Sequence, residues 1–194
     1  MASEFEFRFH LVSGAIHRFA QSDSEIAQQI LAHVPPEKIF QTPQITVWNE
    51  HSINHFRSDQ VLRLDLITDE VPKLWTMPAG FESFHVITEE KFLTHIERGV
   101  RGSTALNPDE TFVGFGELQF INGQSLHLEA RGEVSALSYR LHNVTRILFF
   151  PSIFAHLPAG GVTLINMANV AGLRALPSPP EAPHDAWVGR RLPN

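Results

Sequence analysis

Eleven histidines stand in a chain of 194 residues that contains no cysteine. Any metal chemistry would rest on imidazole and carboxylate ligands. Thiol nucleophiles, disulfides and zinc–thiolate sites are excluded. The sharpest pair is His10 and His17. With Ser13-Gly14 as a two-residue hairpin turn, these histidines face each other across neighbouring strands, and both could reach one ion. Glu6 shares the same polar strand face as a third candidate ligand. Two ligands with no supporting motif are more often surface histidines. No cofactor is therefore expected, and a divalent metal at His10, His17 and Glu6 is the exception the spacing allows.

The other chemistry-bearing groups are weaker. His51 and His55 have the i, i+4 spacing of a zinc-binding helix, but no glutamate follows His51 and the segment crosses a turn. Gly114-Phe115-Gly116 leads into a strand, whereas a dinucleotide-binding loop must open a helix. The pairs Asp69-Glu70, Glu89-Glu90 and Asp109-Glu110 fall in turns or a helix first turn, where acids belong for local reasons. Neither a nucleophile elbow nor a phosphate-cradling loop occurs. An enzyme would need a site assembled from dispersed residues, drawn from His10, His17, His85, His127 and His156 with a carboxylate nearby.

Aromatic residues offer a different chemistry, that of contact. Fifteen phenylalanines against one tyrosine favour buried packing over wet aromatic surface. Trp48 at a strand end, Trp75 in a proline-bounded loop, and Phe149, Phe150 and Phe154 in an apolar run are the candidates for a partner surface. Trp187 reads as an anchor pinning the C-terminal tail.

The elements that must position these residues follow from periodicity. Phe5, Phe7, Phe9 and Leu11 alternate with Glu6, Arg8 and His10, which predicts a half-buried strand. A partner strand returns to Gln21, and Ser22-Asp23-Ser24-Glu25 reads as a capping box before a helix ended by Pro35-Pro36. Strands are predicted for 44–48, 52–57 and 60–68. The same plan is read again at an offset of about 109 residues, where Val12-Ser13-Gly14 aligns with Ile121-Asn122-Gly123. There a hairpin is followed by a helix carrying Val134, Leu137, Leu141 and Val144, then three strands to Leu176.

The expected fold is thus α+β: internally duplicated strand-strand-helix-strand-strand-strand units, whose antiparallel sheets are each covered by one helix, in a pseudo-twofold arrangement. The divisions are 1–68 for the first repeat, 69–112 for a connector with one strand and one short helix, and 113–176 for the second repeat. Residues 177–194 form a proline-rich strap, and the whole is expected to be one fused body. The run Ile147 to Phe154 is apolar on both strand faces, so something should cover it.

Bulk composition narrows the setting. Net charge is −6. It divides as −7 in residues 1–97 and +1 in 98–194. Neither half suits a nucleic-acid backbone. No apolar run approaches a membrane span, and the acidic start does not resemble a signal peptide. The expectation is a cytoplasmic, non-enzymatic binding or assembly module with a protein partner or a second copy of itself. The alternative is an enzyme or metal-binding protein with a site between the repeats.

Overall fold

The alternation at the N-terminus builds the sheet. A computed structural model describes residues 5–32, 34–68, 75–97, 111–133, 144 and 146–176. Strand β1 (Phe5–Leu11) buries Phe5, Phe7 and Phe9 and leaves Glu6, Arg8 and His10 half-buried on the other face. β2 (Ile16–Gln21) pairs antiparallel on one side of β1 and β5 (Val61–Ile67) on the other. β10 (Val162–Asn166) continues from β5, and β9 (Ser152–His156) from β10. β6 (Ser83–Ile87) then joins β9 in parallel and β8 (Ser125–Glu133) antiparallel. β7 (Thr111–Phe120) and β11 (Val170–Leu176) complete the order β11-β7-β8-β6-β9-β10-β5-β1-β2. The short strands β3 (Gln44–Trp48) and β4 (Ile53–Arg57) form a separate hairpin sheet.

Helix α1 (Ser24–Ala32) buries Ala27 and Leu31. Its N-cap is Asp23, whose carboxylate accepts from the backbone N–H groups of Glu25 and Ile26. The expected capping box, with Ser22 in that role, is therefore one residue out of place. Helix α2 (Glu89–Glu97) is capped by Thr88, which accepts from Lys91 N–H, and it buries Phe92.

The core lies on both faces of the sheet. One cluster gathers Phe9, Leu64, Leu66, Phe154 and Leu164 with residues of α1 and the β3–β4 hairpin. The other gathers Phe84, Leu118, Leu128, Ile153 and Ile165. Alternate residues of β9 and β10 feed the two clusters, so these central strands are buried on both faces and carry few polar side chains. At the end of β10, Asn166 donates to the carbonyls of Ser58 and Val61, and Asn169 of the following 3-10 turn donates to those of Asp59 and Val61.

This architecture corrects the expected fold class. The described strands do not divide into two antiparallel sheets with one helix on each. They form one nine-stranded mixed sheet with a small two-stranded sheet beside it. The physical reason is edge pairing. β10 hydrogen-bonds directly to β5, and connector strand β6 closes the remaining gap by pairing with both β9 and β8. Local bonds do recur along the chain: Val12 N–H donates to the Gln60 carbonyl, and Ile121 N–H to that of Asn169. They flank a continuous sheet rather than defining two helix-covered units.

The apolar run also differs from expectation. Residues 147–149 form a 3-10 turn and only 152–156 form a strand. Ile147, Ile153 and Phe154 are buried, whereas Phe149 is 82% exposed. The expected helix positions Val134, Leu137 and Leu141, the acids Asp69, Glu70, Asp109 and Glu110, and the tail with Trp187 lie outside the described residues. No helix among the described residues is long and apolar enough to cross a membrane.

Candidate binding cleft

The two faces of β1, β2 and β5 present opposite chemistries, because side chains alternate across a strand. On the apolar face, phenylalanine rings stack. Phe7 and Phe19 lie 5.4 Å apart with nearly parallel planes, and Phe9 and Phe56 lie 4.4 Å apart. A cleft of about 1210 Å³ lies over Phe7, Phe9, Phe19, Leu64 and Leu66, of which Phe19 is half-buried and the others belong to the buried core beneath it. Ile26, Gln29 and Ile30 of α1 make one wall. Residues 44–48 of β3 and the following turn make the other. That turn is rigidly built: the Asn49 carboxamide oxygen accepts from the backbone N–H groups of His51 and Ser52. Just before it stands Trp48, 78% exposed, paired across the hairpin with exposed Ile53. β2, the last strand of the main sheet, runs along the cleft with one backbone edge unpaired by any described strand.

The opposite face is ionic. Glu6 accepts from Arg8 and Arg18, and these bonds hold its carboxyl down to about 2. Buried Asp65 meets His10 Nε2 at 2.7 Å. Burial pushes the Asp65 carboxyl up, but the His10 hydrogen bond and the Arg63 charge outweigh it, and the net shift is downward. A third polar group lies under α2 on β6 and β8. There Glu129 is buried between Lys91 and Arg131, both at 2.7 Å. Its carboxyl is also lowered, since those two cations overcome the upward push of burial. His85 stacks on His156 with ring centres 5.1 Å apart and bonds the Ser83 hydroxyl at 3.0 Å. Burial, then the neighbouring His156, lowers the pKa of His85.

No family model, no curated protein and no solved structure matches this chain. Its own geometry is the guide to what it does.

The expected metal pair is not formed. Register places His10 opposite Ile16 and His17 opposite Phe9, so the two histidines point to opposite faces. The cause is the turn. Leu11 N–H donates to the Ala15 carbonyl, making a three-residue loop with Gly14 at φ +87°. One extra loop residue slips the register by one and reverses the face. His17 packs on Phe56, while Glu6 is committed to two arginines. Among the described residues, no group of three or more His, Asp or Glu is arranged to hold a metal ion. His55 bonds the Thr46 hydroxyl across the β3–β4 hairpin, and Gly114 and Gly116 lie within β7.

The aromatic candidates divide. Trp48 stands at the cleft mouth and Phe149 is exposed elsewhere. Trp75 packs edge-to-face on buried Phe154, with ring centres 5.5 Å apart, and both belong to the core. Phe150 is half-buried against the second core cluster. The cleft lining contains none of His10, His17, His85, His127 or His156. Sequence reasoning missed Phe19, Ile26 and Ile30 as lining residues, although the apolar stripe of α1 was a usable signal.

Proposed function

We propose that this chain is a non-enzymatic binding module whose cleft receives an extended apolar segment of a partner protein. The observation that carries this reading is the aromatic-floored cleft lying along edge strand β2. Its volume, about 1210 Å³, exceeds the roughly 300–1,000 Å³ of ordinary small-ligand pockets. An edge strand offers backbone hydrogen bonds to an added strand, and alternate pockets then select its side chains. Exposed Trp48 at the mouth is the type of residue that concentrates contact energy. This mode of binding requires neither a cofactor nor a metal, and it suits a cytoplasmic partner.

Selection from a displayed library of random peptides tests the reading. The selected peptides should carry alternating apolar residues and should shift tryptophan fluorescence on binding. Trp48→Ala, at an exposed position that leaves the fold intact, should weaken their affinity at least tenfold, about 1.4 kcal/mol. Peptides that bind wild type and Trp48→Ala equally would overturn it.

A further inference from the structure

The charged face of β1, β2 and β5 forms a grid, whose exposed end at Arg18 also borders the cleft. Register sets Arg18 beside Arg8, Arg8 beside Asp65, and His10 beside Arg63. Like charges directly opposite in a ladder repel, so the Arg8–Arg18 pair requires an anion. Glu6 supplies one carboxylate for both guanidiniums, accepting from Arg8 at 2.8 Å through each of its oxygens and from Arg18 through one. Asp65 supplies the other, but its close contact is with His10. Arg63 reaches only 3.5 Å to His10 Nδ1 and 3.6 Å to Asp65 Oδ1. Three guanidiniums and an imidazole thus share two carboxylates, in a chain whose overall charge is −6. At the closed end of the grid, buried Asp65 lies beside buried Thr163 of β10, whose hydroxyl helps to hold the Asp65 carboxyl down. Arg18, at the open end, is 64% exposed.

We propose that this face is an oxyanion site that binds the phosphate group of a small molecule, with Arg8, Arg18 and Arg63 as its cationic wall. Guanidinium forks match pairs of phosphate oxygens, and a doubly charged oxyanion would offset the cationic excess of the grid. His10, fixed by Asp65, positions the Arg63 end. Arg18 is shared with the cleft lining, whereas Arg8 and Arg63 are not part of it.

Calorimetric titration of the full chain with inorganic phosphate and with pyrophosphate, at constant ionic strength, tests this. Saturable binding is expected. Arg18→Gln should weaken it about tenfold. Arg57→Gln, which breaks the separate exposed pair with Asp59, should leave it unchanged. Thermal midpoints report folding of each variant, and the exposure of Arg18 keeps that variant informative if Arg63→Gln fails to fold. Absence of saturable binding, or equal loss in the Arg57→Gln control, would refute the site. Phosphatidylglycerol vesicles form a third arm, and binding to vesicles without binding to free phosphate would overturn the small-molecule assignment.

Discussion

Asp65 holds the charged face together. It is buried, it bonds a histidine 55 residues away, and it faces Arg63. Removing one member of a buried ion pair leaves the others without compensation, so Asp65→Ala should cost about 3 kcal/mol in urea unfolding. Changes in pH act on the same groups with a defined sign. Glu6 has a folded pKa near 2 against an ordinary value of 4.5, so its stabilising contribution is complete above 4.5 and disappears as pH falls toward 2. His85 has a folded pKa below 6.5, so protonation favours the unfolded chain and stability declines as pH drops through and below 6.5. His85→Gln should abolish that upper limb of an acid titration and leave the lower limb, with circular dichroism as the readout. The alternation of β1 placed His10 on the polar face, but its ion-pair role and its partner were not legible in the sequence. Asp65 and Arg63 lie on a strand that only tertiary pairing brings alongside.

Glycine marks where elements approach most closely. Gly160 and Gly161 form the turn between β9 and β10, both with positive φ. A Cβ on Gly160 would meet open space, whereas one on Gly161 would lie 2.0 Å from the Leu66 carbonyl oxygen. Gly160→Ala should therefore cost about 1 kcal/mol from backbone conformation alone, and Gly161→Ala distinctly more, measured as thermal midpoints. Asp23→Ala should cost about 1 kcal/mol through loss of the α1 cap. The period-two pattern of β1 and the turn signals around α1 could be read directly, since they depend on neighbours in sequence. The three-residue hairpin loop could not, because Ser13-Gly14 suits two loop lengths and the choice reverses every side chain beyond it. Nor could the position of β9, whose apolar run marks burial on both faces without naming the strands beside it.

The continuous sheet makes a claim about the whole molecule. β10 pairs with β5 across a long stretch of sequence, and Asn166 and Asn169 tie the same seam with buried amide bonds. Far-ultraviolet circular dichroism and tryptophan fluorescence should therefore report one coincident urea transition, and two separated transitions would contradict a single core. The sequence pattern showed that apolar surface needed cover. It could not show that β6 closes the sheet through its one parallel pairing, because parallel partners need no shared turn. Two chemistries then occupy opposite faces of the same strands, a charged grid on one and an aromatic cleft on the other. The cleft is the central claim. Hydrogen–deuterium exchange of the full chain, with and without a selected alternating apolar peptide, tests it most directly. Added protection should map to the outward amides of β2 and to the walls formed by α1 and β3. Protection confined to other strands, or none in β2 at saturating peptide, would contradict strand addition in the cleft.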